Sequence, residues 1–317
     1  MASMSTAGAP PLPPTDLRRS FPPPSDPFLD AHARTLAPRP SSFEQLAALS
    51  DECVDVAVGA ALLARDAYAN LDVERLLARF DELAEPLAKR GPPALASLAP
   101  ERQAKAISTY LYEEVGFRGN EQDYYDPKNS LLPDVLDRRL GIPITLALVY
   151  CEVARRAGVR ARGVSFPGHF LVRVDAVGHE DAPLAVDPFF GGRRLDEPGL
   201  QKLLERASPS QKLVVEEHLA PASPKTMLVR MLINLKWIYA TRGDFARALL
   251  ALDRIICLTP DSVPALRERG LLAVRLGAVE AARADLSRLL ELVPQAPDAS
   301  TIRKQLEELH AKVAVLN

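Results

Sequence analysis

The chain has 317 residues, 47% of them hydrophobic and 25% charged, with a formal net charge of −2. That length calls for more than one core, and a near-neutral chain without a basic block argues against an electrostatic grip on nucleic acid. No apolar run reaches the roughly 20 residues that cross a bilayer, and three scattered cysteines make neither a disulfide framework nor a zinc knuckle.

Residues 1–40 hold ten of the 28 prolines, in PPLPP and FPPPSDP among other places. Proline fixes φ and removes a donor, so a disordered or polyproline-II tail is predicted there. From Ser41 the pattern turns helical. SSFEQLAAL has Ser41 and Glu44 at capping-box spacing. VDVAVGAALLARDAY and LDVERLLARFDELAEPLAKRG follow as helices. In the second, Leu71, Leu76, Phe80, Leu83 and Leu87 recur near helical spacing before Gly91-Pro-Pro stops it. Cys53, at the start of this layer, reads as a small buried apolar residue. In RQAKAISTYLYEEVGF a core face is spaced by Ala104, Ile107, Leu111 and Val115. RGNEQDYYDPKNS is then an ordered polar loop in which Asn120 and Asn129 do turn chemistry.

LLPDVLDRRLGIP predicts a short helix capped by Gly141. Pro143 suits the first turn of the next helix, ITLALVYCEVARRAG, which Gly158 closes. VRARGVSF reads as a strand, PGH as a turn delivering His169 to the strand FLVRVD, and GHEDAP as a polar hairpin turn. LAVD returns and ends on Asp187. Adjacent antiparallel strands would set His169 beside Asp187, and a carboxylate beside imidazole fixes its tautomer. Helix, then His-strand, then Asp-strand is the order of papain-like thiol enzymes. In these the helix N-terminus lowers the pKa of a cysteine.

The segments EVGFRGN, DYYDPKNSLLPDVLDRRLGIPITLALVY, GVSFPGHFLVRV and DPFFGG resemble the SirB-type transglutaminase-like family, over roughly residues 43–200 and on into the C-terminal part. The resemblance implies an α+β fold: a mostly helical N-terminal layer on a papain/transglutaminase-like core of one helix and an antiparallel sheet. It also implies a triad of cysteine at a helix N-terminus, histidine and aspartate. His169 and Asp187 match the last two. The cysteine position lies about fifteen residues before the helix-closing glycine, and counting back from Gly158 reaches Pro143, which offers no nucleophile. Cys151 lies about 12 Å farther along the helix and roughly 80° around it; Thr145 lies about 3 Å along and roughly 200° around.

Three readings follow. In the first, the domain is catalytically degenerate, with His169 and Asp187 as retained positions in a protein-binding or regulatory module. The second is a hydrolase or acyl transferase with Thr145 as nucleophile, His169 as base and Asp187 as orienter. The third is a cleft that holds a small ligand or a chain terminus, with Asn129, Arg139 and Pro143 at its mouth. None of them calls for a cofactor or metal.

From Thr226 the sequence repeats at an offset of 34: Gly243 and Gly277, Phe245 and Val279, Ala248 and Ala282, Leu252 and Leu286, Pro260 and Pro294. That is the tetratricopeptide period, an all-α helical-hairpin array. The residues from Asp298 read as a capping helix, and Trp237 and Tyr239 are candidate contacts. The organisation expected is a tail over 1–40, a transglutaminase-like domain over 41–200, a linker over 201–225, and two repeats plus a cap over 226–317. A protein or peptide partner through the repeats is expected, with no nucleic acid and no membrane. Scattered thiols and an N-terminus without signal-peptide pattern lead to the expectation of a cytoplasmic protein.

Overall fold

The computed structural model describes residues 39–90, 94–175, 183–209 and 214–316, with side chains to 309. Nearly all of the proline-rich tail, the Gly91-Pro-Pro stop and most of the GHEDAP turn lie outside the described residues. Side-chain caps and apolar spacing build the first layer. Helix α1 (Phe43–Ala47) starts at Ser42, whose hydroxyl accepts the Gln45 N–H, one residue later than the spacing predicted. Asp55 caps α2 (Val56–Ala64) through the N–H groups of Ala57 and Val58, and residues from Ala57 to Ala64 are buried. Asp72 caps α3 (Val73–Ala88), which buries one stripe: Val73, Leu76, Leu77, Phe80, Ala84 and Leu87. Cys53 corrects an expectation. It is exposed, because a 3-10 turn at Asp51–Cys53 separates α1 from α2 and sends Val54 into the core instead.

Helix α4 (Pro100–Ser108) continues into a π-helical turn, Thr109–Glu114. Next, β1 (Arg118–Gly119) pairs in parallel with β2 (Leu140–Gly141). Between them α5 (Leu132–Arg138) ends on Arg139, not Gly141 as predicted. Arg139 takes the left-handed conformation at φ 56°, and its guanidinium donates to the Val115 carbonyl at 2.7 Å. That conformation normally carries a cost for a residue with a Cβ. Gly141 is needed for β2, where a Cβ would stand 2.8 Å from Thr145 Oγ1.

Helix α6 (Pro143–Arg156) is the central element and is buried from Pro143 to Tyr150. It packs against β3 (Ala161–Val164) and β4 (Leu171–Val174). With β5 (Leu184–Asp187) and β6 (Arg193–Leu195) these make an antiparallel sheet in the order β3-β4-β5-β6. An apolar cluster of Val164, Phe166, Leu171, Ala185 and Leu195 receives Leu200 and Leu204 of α7 (Glu197–Ala207), together with Val215. Part of the stretch read as a linker is thus packed helix.

Two compact units emerge, divided between Leu228 and Val229 within α8 (Pro224–Thr241). The second unit continues with α9 (Phe245–Leu258), α10 (Val263–Leu276), α11 (Val279–Leu292) and α12 (Ala299–Leu316). The 34-residue period recurs in its backbone. Gly243 and Gly277 take φ 75° and 73°, and Thr259 and Val293 have φ −138° and −135°, both with ψ 78°. Ala248, Ala282, Leu252 and Leu286 are all buried. Tyr239 is buried too, under the Arg247 guanidinium. Among the described residues no helix is long and apolar enough to cross a membrane.

Within that unit Asp285 is 3% exposed, held by two bonds from Arg269 at 2.6 and 2.7 Å, while Arg269 also reaches Asp253. Arg269→Met strands a buried charge and should destabilise by about 3–5 kcal/mol, most of it recovered by adding Asp285→Leu. Urea unfolding of the two variants checks this; additive losses would show that the pair is not coupled.

Candidate active-site cleft

The site begins where α6 begins. Ile142 precedes the helix and has no side-chain acceptor, so Thr145 closes the first turn from the other direction. Its Oγ1 accepts the Ile142 N–H at 3.1 Å. Its proton is directed to the Asn129 carbonyl at 2.7 Å, with the Ile142 carbonyl at 3.1 Å. The residue is fully buried. These three backbone groups engage the hydroxyl, where the Thr145 reading called for a bond to the His169 ring. Cys151 lies two turns deeper, where burial pushes its thiol up and the neighbouring Glu152 adds to the rise. That environment favours the thiol over the thiolate a nucleophile needs.

The candidate ligand residues at the mouth are also engaged. Asn129 Nδ2 donates to the carbonyls of Asp123 at 2.7 Å and Tyr124 at 3.2 Å, and its Oδ1 accepts from Asn120 at 3.0 Å. It locks the 120–129 loop, as turn chemistry predicts. Arg139 is exposed, and its side chain is turned to Val115. Pro143 occupies the first helical position and is buried.

His169 and Asp187 meet. Strand β4 pairs with β5, and His169 Nε2 lies 2.9 Å from Asp187 Oδ1. Asp187 is fully buried, and the same oxygen accepts the N–H groups of Phe189 at 3.1 Å and Phe190 at 3.3 Å. Positive φ at Gly191 and Gly192 turns the chain so that β6 returns with Arg193 opposite Asp187. The Arg193 guanidinium lies 3.4 Å from Oδ2 and stacks over the Phe190 ring. Burial pushes the Asp187 carboxyl up, but the His169 hydrogen bond and charge, Arg193 and the Phe190 N–H outweigh it and hold the group below its ordinary value. Engaging Nε2 directs the Nδ1 edge of the ring away from Asp187, the orientation a base needs toward a nucleophile.

The α6 mouth and the Asp187 turn form one region. Gly119 pairs with Gly141, and a Cβ on Gly119 would stand 2.6 Å from the Phe189 carbonyl. Tyr124 meets the Phe189 ring edge-on at 5.8 Å. Reading the sequence missed Gly119, Phe190 and Arg193. A signal for the last existed: DPFFGG followed by RRL is a glycine turn returning a strand beside Asp187.

A family model described as the transglutaminase-like superfamily matches residues 74–233, and a tetratricopeptide repeat model matches residues 235–307. A UPF0162 protein of Xylella fastidiosa is 40% identical over 275 residues, covering 84% of this chain and 94% of that protein. Another, of Pseudomonas aeruginosa, is 35% identical over 196 residues, 62% of this chain and 70% of that one. F-box only protein 21 of Mus musculus is 34% identical over 181 residues, 54% of this chain and 28% of that protein.

Because the folded Asp187 carboxyl lies below its ordinary 3.8, its contribution is fully present above that value and is lost as pH falls through the folded pKa. Asp187→Asn should therefore lower the melting temperature at pH 7 and flatten the acid limb of the stability–pH curve. Thermal melts across pH 2–7 (a range of about 5 pH units) test this; parallel wild-type and variant acid limbs would contradict it.

Proposed function

The chain belongs to the transglutaminase-like superfamily, joined to tetratricopeptide repeats, and from that premise we propose that its cleft is catalytically degenerate and serves a protein-binding or regulatory module. Within the superfamily we assign it to the SirB type, with a protein or peptide partner engaged through the repeats, in the cytoplasm. The observation that carries the reading is Pro143 as the first residue of α6. Proline there removes two things together. It has no side-chain nucleophile, and it has no backbone N–H to stabilise an oxyanion at the same atom position. Neither neighbour compensates, since Thr145 is bound to backbone and burial keeps the Cys151 thiol protonated. His169 and Asp187 are then retained positions without an attacking group to serve.

The test restores the missing atoms in a Cys53→Ser background, since Cys53 is exposed and would otherwise be open to the same probe. The background protein is expected to show no His169-dependent labelling by an acyl donor or an iodoacetamide probe. Pro143→Cys should create a thiol alkylated roughly tenfold faster than an ordinary exposed cysteine at pH 6–7, the acceleration expected of an imidazole-paired thiolate. Adding His169→Ala should remove that acceleration. An acyl-enzyme formed by the background protein and lost in its His169→Ala variant would overturn the degenerate reading.

A further inference from the structure

Two buried donors sit at the mouth of α6 without an acceptor, and neither the fold nor the His169–Asp187 pair uses them. Ser130 is 2% exposed, and its Oγ has no hydrogen-bond partner among the described residues. Ile144 is also 2% exposed, in a first turn that has no side-chain cap at Ile142, and its N–H has no acceptor among the described residues. Thr145 links the two segments that carry them. Its hydroxyl holds the Asn129 carbonyl at 2.7 Å, and that carbonyl belongs to the peptide bond leading into Ser130. Ser130 is thereby fastened to the turn that carries Ile144.

An unpartnered buried hydroxyl is uncommon in a native fold and carries a standing cost, so it is open to a partner from outside the chain, a water or a ligand. A helix end buried without a cap makes the same statement about an N–H. The aligned peptides of α6 add positive potential at that point. Two donors under a positive helix end fit an acceptor with two oxygens and a negative charge. The wall beside them, Tyr124 against Phe189, accommodates an apolar body behind such a group.

We propose that the mouth of α6 binds a carboxylate, one oxygen on Ser130 Oγ and the other on the Ile144 N–H. A polypeptide C-terminus and a small organic acid share this chemistry, and the experiment separates them. The inference rests on the reading that the cleft holds its occupant without transforming it. Labelling of the unaltered cleft would sink that reading and leave the carboxylate site standing.

The measurement is the thermal shift of the full chain with three probes: acetyl-alanyl-alanine, its C-terminal amide, and acetate matched in ionic strength with chloride. The free-acid peptide should raise the melting temperature and the amide should not. A shift with acetate alone assigns the site to small acids; a shift with the peptide and none with acetate assigns it to chain ends. In Ser130→Ala the apparent affinity for the acid should fall roughly tenfold or more, the loss of one hydrogen bond to a charged group. The ligand-free variant should melt at or above the wild-type temperature, because it removes an unpartnered hydroxyl. Three results would each overturn the proposal: no shift with either acid, equal shifts for acid and amide, or a ligand-free Ser130→Ala that melts several degrees lower.

Discussion

A carboxylate with no exposed surface constrains the whole first unit. Asp187 is charged, because its partners hold it below its ordinary pKa, and it is fully buried. Burying an isolated carboxylate is prohibitive, so each local feature around it supplies a donor. The β4–β5 pairing brings His169, the Pro-Phe-Phe turn aims two N–H groups at Oδ1, and the double glycine returns Arg193 to Oδ2. Removing any one donor leaves the charge less compensated. The pair therefore has a physical reason to persist even where no reaction uses it, which separates its presence from its catalytic competence.

The start of α6 is built around a proline at its first helical position. Proline at the first helical position loses nothing as a helix element, since its N–H would be unsatisfied there anyway. Thr145 then bonds backward to Ile142 and across to Asn129, tying the helix to the loop that precedes α5. These bonds stabilise the mouth and immobilise it. The same hydroxyl that composition offers as a substitute nucleophile is, in the fold, the clasp between two segments sixteen residues apart.

What the sequence revealed follows the range of the physics involved. The repeats were legible because a 34-residue period restates itself in glycine turns and buried small residues, and His169 and Asp187 were legible because one precedes and the other ends a short apolar strand. Gly141 was misread as a cap because the parallel β1–β2 pairing that claims it joins residues 118–119 to 140–141, a contact that local pattern does not encode. Cys53 was misread because burial was assigned from a helical neighbourhood, while a 3-10 turn placed it outside. The half of α7 beyond residue 200 was lost for a similar reason. Its partners Val164, Phe166 and Leu171 are some 30–40 residues earlier, so amphipathic spacing alone could not tie it to the sheet.

On the proposed degenerate reading, the remaining donors are free to do something else. In a working acyl-transfer site, a donor that grips the ground state as firmly as the transition state lowers turnover or does nothing for it. A cleft that no longer passes through a transition state is released from that limit, and its donors act on whatever occupies it at rest. With Asp187 saturated, Asn129 locked into its loop and the Thr145 hydroxyl bound to backbone, the donors still unengaged at the mouth among the described residues include Ser130 Oγ and the Ile144 N–H. On that reading, the bonds that hold Thr145 and Asn129 in place also fix the segments that carry these two donors, and preorganisation of that kind favours binding.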